Sequence, residues 1–215
     1  MYYSHLKRAR VDATTFEVLL QKIHSNVARK STRLQKPITV EIRLAAFLRF
    51  IATGESLSSL AYSFRLGKSS LSTILSDVCI AISNALHDSI HMPSTKEEWI
   101  TIVNDYESLW NFPNVIGAID GKHVKIQALK KSGSLFYNYK GYFSIIMMGV
   151  ANALYQFIYL DVGSNGRVND SSVYMQTTLK NAIDSNSLNI PEARTIPGTN
   201  NAFPSCFFLE MRHFQ

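Results

Sequence analysis

The feature that most constrains the fold is a change of hydrophobic pattern near residue 110. Residues 1–110 carry apolar residues mostly at the spacing of amphipathic helices, whereas residues 115–163 carry successive apolar stretches typical of strands. A helical pattern follows these stretches, over residues 171–184. The chain is therefore predicted to be an α/β protein, with a helical module over residues 1–110 and a second domain over residues 111–215.

The second domain is predicted to begin with three strands and a helix. The segment "NVIGAIDG" is the first strand and ends near Asp120, while "YFSIIMMGVAN" and "QFIYLDVG" form an antiparallel pair. Asp170 or Ser171 is expected to cap one continuous helix after them. Three strands and a helix, with a carboxylate at the end of the first strand, are typical of the start of an RNase H-like domain.

The helical module contains a helix-turn-helix pattern in "SLSSLAYSFRLGKSSLSTILSDVC". A short helix ends near Phe64, and a glycine-containing turn leads to a longer helix that Ser69 or Ser70 is expected to cap. A DNA-reading version would place the start of the second helix at base edges or phosphates. The candidate DNA-binding residues are Arg65, Lys68, Ser69 and Ser70. The same pattern is also a simple way to pack three short helices, so both interpretations stay open.

Other signals in the helical module are weaker. Thr14 or Thr15 is expected to cap the first helix, and Gly54 is expected to end the second. Arg43 and Arg49 add positive charge near the helix-turn-helix pattern.

Charge and composition indicate a nucleic acid as partner. The net charge of +6 and a pI near 9.3 favour a polyanion. The most apolar segment is interrupted by Gly149, Asn152 and Gln156, so no membrane span is expected. The two cysteines lack the spacing of a zinc site, and the N-terminal segment lacks the apolar core of a secretory signal, so we expect an intracellular protein.

Two aspartates are the candidates for metal-dependent chemistry. Phosphodiester hydrolysis by divalent metals needs carboxylates that converge from separate elements. Asp120 at a strand end and Asp170 at a loop-helix junction meet this requirement, and Asp161 competes for the second position. Taken singly, each is equally typical of a turn or a helix cap. His123 is expected to have a structural or outer-shell role, because magnesium prefers oxygen ligands.

The segment "KKSGSLFYNYKGYFS" interleaves basic and aromatic residues. Lys130, Lys131 and Lys140 are candidate contacts to a nucleic-acid backbone, with tyrosines between them. A solvated hairpin with aromatic cross-strand pairs explains the pattern equally well.

These motifs together resemble a known family. The stretch from "WNFPNVIGAIDGKHVKI" to "GSNGRVNDSSVYMQTTL" closely resembles the DDE superfamily endonuclease domain of PIF/Harbinger transposases and their domesticated nuclease relatives, and "RLAAFLRFIATGESLSSLAYSFRLGKSSLSTIL" resembles the helical region before that domain. The resemblance covers about residues 14–205. It implies an RNase H-like fold, a divalent metal (Mg²⁺ or Mn²⁺), DNA as substrate, a Myb-like DNA-binding partner protein, and a location in the nucleus or also in the cytoplasm.

Carried over by position, the resemblance implies that Asp120 in "AIDG" is the first metal ligand and Asp170 in "GRVND" a second. At the next ligand the family reads "GDDAFPL", whereas this chain reads "GTNNAFPS", so Asn200 occupies that position. The family's final glutamate lies on a later helix. Glu210 comes too early and lacks its motif, so we expect the nuclease domain to be incomplete at Gln215.

The resulting prediction is a metal-dependent DNA endonuclease of transposase origin, with weak or absent activity in this chain. An amide at position 200 offers one carbonyl oxygen and no charge, which weakens metal binding. The alternative is a catalytically inactive transposase-derived protein that binds DNA or protein.

Overall fold

The protein forms a mixed α/β fold in which helices and strands occupy separate regions of the chain. This computed structural model describes residues 11–31, 37–195 and 206–210 of the 215 residues. The chain divides into two compact units between Ser89 and Ile90. Among the described residues, no helix has both the length and the apolar character needed to cross a bilayer.

The first unit is helical. It contains α1 (Ala13–Val27), α2 (Val40–Thr53), α3 (Leu57–Phe64), α4 (Lys68–Ala85) and a 3-10 turn (His87–Ser89). The helices enclose an apolar core whose fully buried side chains include Phe16, Ile23, Leu44, Leu60, Leu71 and Val78. The apolar spacing of the sequence is the physical reason for this packing, because residues three or four positions apart share one helix face.

The helix ends of the first unit show one corrected and one confirmed prediction. Asp12, and not Thr14 or Thr15, caps α1, since its Oδ1 accepts the backbone N–H of Thr15 at 2.8 Å. Gly54 ends α2 in the left-handed conformation, as predicted.

A three-residue turn joins α3 to α4. Arg65 ends α3 with a φ of 54°, and Gly67 precedes the first residue of α4. Capping by Ser69 or Ser70 was therefore a wrong prediction, because α4 begins before them and both lie in its exposed first turn. DNA recognition by this helix pair stays a prediction.

Two arginines of α2 are buried and form contacts within the first unit. Arg49 forms a bidentate ion pair with Glu55 at 2.7 Å, and Arg43 donates to the Ile38 carbonyl at 3.0 Å. Both arginines are more than nine-tenths buried. The positive charge that they add near the helix-turn-helix pattern is therefore held inside the first unit.

The second unit contains a four-stranded sheet and three helices within the described ranges. These elements are α5 (Lys96–Trp110), β1 (Val115–Lys125), β2 (Ser144–Ala151), β3 (Phe157–Asn165), α6 (Asp170–Tyr174), α7 (Thr178–Asp184) and β4 (Phe207–Glu210). The strand order is β3-β2-β1-β4. The predicted antiparallel pairing of β2 with β3 is confirmed, β1 pairs antiparallel with β2, and β4 is parallel to β1.

Helix α5 packs with the sheet and so places the boundary between units earlier than residue 110. Trp99 is fully buried and donates its indole N–H to the Leu188 carbonyl at 2.7 Å. Tyr106 donates its hydroxyl to the Ala151 carbonyl at 2.8 Å. Trp110, the last residue of α5, is 44% exposed. The sequence pattern changes at residue 110 because helices give way to strands there, whereas packing changes after Ser89.

Two further expectations about the second unit were wrong. Strand β1 does not end near Asp120 but runs to Lys125, because its pairing with β2 continues without a break to that residue. The single helix expected from Ser171 onward is two short helices, because Thr177 caps α7 by accepting the Lys180 backbone N–H. Asn169, and not Asp170 or Ser171, caps α6.

Candidate active site

Asp120 lies in the interior of β1 and not at its end. The antiparallel pairing of β1 with β2 runs from Ala118 to Lys125, and within the described residues the parallel pairing of β1 with β4 reaches Ile119, opposite Glu210. The Asp120 carboxylate is partly buried, and its Oδ1 accepts the Gly121 backbone N–H at 2.9 Å. The central strand of this part of the sheet therefore carries Asp120.

Asp170 reaches the same part of β1 from the first position of α6. A Cβ atom placed on Gly121 would lie 2.5 Å from Asp170 Oδ1 and 2.6 Å from its Cγ. This space is too small for any side chain, so the Asp170 carboxylate rests directly on the Gly121 backbone. This contact joins Asp170 to the residue that follows Asp120, and the convergence of the two carboxylates stays a prediction.

A cavity of about 590 Å³ joins the two aspartates. Its polar lining includes Asp120, Asp170 and Glu210. Its apolar wall consists of Ile119, Met148, Tyr174, Met175 and Phe208. Burial raises the pKa of the Tyr174 phenol, so this side chain stays protonated at neutral pH. Asp161, the competing candidate, is absent from this lining.

Glu210 is the lining residue that the sequence interpretation left out. It lines the cavity because β4 lies parallel to β1 and places Glu210 opposite Ile119. The only sequence signal was an acidic residue at the end of "CFFLE", a short apolar run with strand character. Nothing in the linear sequence places that run beside β1.

The donor set of the cavity suits a hard cation in part. Carboxylate oxygens are the ligands that Mg²⁺ and Mn²⁺ prefer. However, no three His, Cys, Asp or Glu side chains in the described part of the chain lie close enough together to hold one metal ion. Asn200, at the predicted degenerate ligand position, lies outside the described residues. Of the predicted metal ligands, Asp120 and Asp170 are the ones that line the described cavity.

The three candidate lysines of the second unit lie in the loop between β1 and β2. Lys130, Lys131 and Lys140 are all exposed. Lys140 Nζ lies 5.5 Å from the centre of the Tyr139 ring, within the range of a cation–π contact. Lys140 and the exposed Tyr139 therefore form a basic and aromatic pair that faces solvent.

The other predicted DNA-binding residues belong to the first unit. Arg65, Lys68, Ser69 and Ser70 are exposed at the turn between α3 and α4 and in the first turn of α4. Arg65 and Lys68 line a shallow depression of about 400 Å³, together with Tyr62. The candidate residues thus form two groups, one in each unit.

Comparison with known proteins agrees with the resemblance inferred from the sequence. Residues 119–204 match the DDE superfamily endonuclease family. This range contains Asp120, Asp170 and position 200. No solved structure matches the chain at a significant level.

Curated relatives carry names of the same kind. The chain is 22% identical over 195 residues to "Putative nuclease HARBI1" of Rattus norvegicus, covering 91% of this chain and 55% of the relative. It is 24% identical over 170 residues to "Protein ALP1-like" of Arabidopsis thaliana, covering 76% of this chain and 41% of the relative. The human HARBI1 protein is 21% identical over 166 residues. The chain spans about half the length of the curated relatives that it matches.

Proposed function

Because this chain contains a DDE superfamily endonuclease domain and has homologues among the Harbinger transposase-derived nucleases, we propose that its second unit is a metal-dependent DNA endonuclease domain. The observation that carries the proposal is the meeting of Asp120 and Asp170 at one cavity. The residues come from a strand and from a helix fifty positions later, so only the fold brings them together.

The order of the strands supports an RNase H-like arrangement for this unit. Three antiparallel strands follow one another, and β4 returns parallel to β1. This topology places Asp120 on β1, the strand that pairs with both β2 and β4. The resemblance to the DDE superfamily implies the same fold.

Asp120 and Asp170 would hold a divalent cation, Mg²⁺ or Mn²⁺, through carboxylate oxygens. Such an ion neutralises charge on a phosphodiester and activates water for its hydrolysis. Asp120 is oriented by the Gly121 backbone N–H, and Asp170 is held against the Gly121 backbone. Glu210 adds negative charge to the cavity wall. These residues supply the fixed oxygens and the charge that attract a cation.

We infer that this activity is weak. Two aspartates give a net charge of about −2 to a site, and Asn200 contributes no charge at the third ligand position. A site with fewer carboxylates binds a divalent cation less tightly, so the fraction of metal-loaded protein at a given concentration falls.

A metal titration tests the proposal. Mn²⁺ added to the full chain is expected to raise the midpoint of thermal unfolding until the site saturates, because an ion that binds only the folded state stabilises it. Asp120→Asn should abolish this rise and any nicking of plasmid DNA, since it removes the charge and keeps the carbonyl that accepts the Gly121 N–H.

Asp105→Ala is the matched control, because Asp105 lies on α5 and does not line the cavity. If Mn²⁺ raises the unfolding midpoint equally in the wild-type protein, Asp120→Asn and Asp105→Ala, Asp120 is not a metal ligand.

A second candidate function is DNA binding without catalysis, and the exposed residues at the turn between α3 and α4 favour it. Arg65 and Lys68 are solvent-facing cations at the start of an 18-residue helix. Cations at such a position suit DNA phosphates. We propose that this turn contacts duplex DNA, and that the protein acts in the nucleus beside a Myb-like DNA-binding partner.

Arg65→Gly tests this contact without straining the backbone. Arg65 ends α3 with a φ of 54°, a conformation that glycine adopts freely. The substitution should weaken duplex binding and reduce the slope of log affinity against log salt by about one, the loss of one phosphate contact. Asn111→Gly is the control, because Asn111 has the same helix-ending conformation without the charge. Equal slopes for the two variants would remove Arg65 from the interface.

A further inference from the structure

The loop between β1 and β2 presents one tyrosine to solvent. Tyr139 is 81% exposed, although it lies among residues that are packed or hydrogen-bonded. Its ring meets the His123 ring with centres 5.6 Å apart and planes inclined by 73°. Lys140 Nζ lies 5.5 Å from its centre. Tyr139 therefore combines an accessible aromatic surface with an adjacent positive charge.

A buried hydrogen-bond network fixes the backbone that carries Tyr139. Asn138 is 3% exposed, and its Oδ1 accepts the backbone N–H groups of Lys140 at 3.0 Å and Tyr142 at 3.2 Å. Its Nδ2 donates to Ser144 Oγ at 2.8 Å. The loop is thus held on both sides of Tyr139, so the ring is presented in a defined position before any ligand arrives.

The same network ties the loop to β1. Ser144 Oγ lies 3.0 Å from His123 Nδ1, and Ser144 is fully buried. His123 follows Gly121 by two residues, so both project to the same face of the strand. Gly121 is where the Asp170 carboxylate rests. The face of the strand on which Asp170 rests therefore leads to His123 and Tyr139.

The remaining aromatics of the loop have a different environment. Tyr137 and Phe143 form a bridge and an edge-to-face pair with ring centres 5.2 Å apart, which closes the base of the loop. Packing of the two rings against each other accounts for the presence of both aromatic residues. Tyr139 lies beyond that pair, at the tip, where packing does not account for a large exposed ring.

We propose that Tyr139, flanked by Lys140 and His123, stacks on a base of single-stranded DNA that extends from the carboxylate cavity. The inference rests on the proposed nuclease function and names the form of its substrate at this surface. Bases in a duplex have both faces covered by neighbouring bases, whereas an unpaired base has a face free to stack on an aromatic ring. Lys140 lies where it can contact the phosphate of the stacked nucleotide.

The test is a binding titration of the full chain in EDTA, followed by fluorescence anisotropy. A labelled oligonucleotide is compared single-stranded and as a duplex of the same sequence. Tyr139→Ala is expected to weaken single-strand binding by about fivefold to a hundredfold, the usual effect of losing one stacking contact. It should change duplex binding by less than about twofold. Tyr139→Phe should bind like the wild type, because it keeps the ring.

Two further variants separate stacking from fold and from general apolar contact. Tyr155→Ala removes a tyrosine that is 77% exposed at the turn between β2 and β3, and it should leave single-strand binding unchanged. Tyr139→Leu keeps apolar bulk without an aromatic face and should bind as weakly as Tyr139→Ala. Thermal melts of all four variants check that the fold is intact.

The proposal is overturned if Tyr139→Ala binds single strands as tightly as the wild type, or if it weakens duplex and single-strand binding equally. Because the titration contains no metal, its outcome is separate from that of the Mn²⁺ experiment. If Tyr139 supports single-strand binding but Mn²⁺ does not stabilise the protein, the proposed nuclease function is contradicted and the stacking site is retained. If Mn²⁺ stabilises the protein but Tyr139→Ala has no effect on binding, the stacking site is contradicted and the proposed nuclease function is retained.

Discussion

At the scale of single residues, the site depends on a glycine as much as on its carboxylates. Gly121 is the surface on which Asp170 rests, and a methyl group there would fall within 2.6 Å of both the Asp170 Cγ and Oδ1 atoms. Asp170 is exposed at the first position of α6, so its side chain can rotate away from such a group. The consequence of a larger residue is therefore displacement of a carboxylate and not collapse of the fold.

Gly121→Ala is expected to lower the free energy of unfolding by less than about 1 kcal/mol, as for a change that a rotating surface side chain can absorb. It should nevertheless abolish stabilisation by Mn²⁺, because Asp170 leaves the cavity. Thermal melts with and without the metal measure both effects. Gly67→Ala is the control, since its Cβ would meet Ser70 Oγ at an ordinary 3.6 Å. A Gly121→Ala protein with normal metal stabilisation would mean that Asp170 is not a ligand.

Sequence reasoning selected Asp120 and Asp170 as candidates but placed Asp120 at the end of its strand. The acidic residue type and the resemblance to a family were sufficient to select both. The prediction that the strand ends at Asp120 was wrong, because the pairing of β1 with β2 continues to Lys125. Glu210 was missed because β4, which pairs with β1, lies more than 80 residues further along the chain. Pairing between distant strands is not encoded in local periodicity.

At the scale of secondary-structure elements, α5 has the most completely satisfied N-terminus of the second unit. Thr95 Oγ1 accepts the Glu98 backbone N–H at 3.3 Å, and the Glu98 carboxylate accepts the backbone N–H of Thr95 in return. Glu98 also accepts the Ser94 backbone N–H at 2.7 Å. The backbone N–H of Ser94, followed by that of Thr95, holds the pKa of the Glu98 carboxyl below its usual value of 4.5.

This lowered pKa predicts a pH-dependent contribution to stability. The folded protein binds the Glu98 proton less tightly than the unfolded chain, so the contribution is present above about pH 4.5 and is lost as the pH falls through the lower folded pKa. Glu98→Gln should therefore be less stable than the wild type at pH 7, and the difference should shrink below pH 4.5. Urea titrations at several pH values measure it.

Glu97→Gln removes a charge from the same first turn of α5 without removing the capping bonds, and it serves as the control. A larger loss for Glu97→Gln than for Glu98→Gln at pH 7 would contradict the capping account.

Helix termini were also where sequence reasoning was least accurate. The existence of α1 to α4 followed from apolar spacing, and Gly54 was correctly expected to end α2. The caps of α1 and α6 were assigned to the wrong residue, because several Ser, Thr, Asp and Asn residues compete near each helix start and only backbone conformation selects one of them. The cap of α4 was also wrong, because that helix begins after Gly67 without a side-chain cap. The helix after β3 divides at Thr177, which has no strong breaker beside it.

At the scale of the whole molecule, the sequence identified two parts and placed their boundary about twenty residues too far along the chain. Composition changes where α5 ends, but Trp99 and Tyr106 bind α5 to carbonyl groups of the second unit. The periodicity of a helix does not show which neighbouring unit it belongs to. The residues that pack against its buried face determine this.

The division after Ser89 predicts how fragments behave. A fragment of residues 90–215 should unfold cooperatively, whereas residues 111–215 should not, because loss of α5 exposes the apolar surface that Trp99 covers. Removing a fully buried tryptophan side chain alone lowers the free energy of unfolding by about 3 to 5 kcal/mol, and the whole free energy of unfolding of a typical domain is about 5 to 15 kcal/mol. Circular dichroism melts of both fragments test this. Equal melting temperatures would place the boundary at residue 110 instead.

The contact between Gly121 and Asp170 has a consequence for surveys of genomes that carry many copies of such domains. A copy can exchange an aspartate for an asparagine and still keep the shape of its cavity, so ligand identity alone is an incomplete record of decay. A copy with a side chain at the position of Gly121 cannot keep the carboxylate in this place. A glycine at that position is therefore a requirement for an intact site in addition to its ligands.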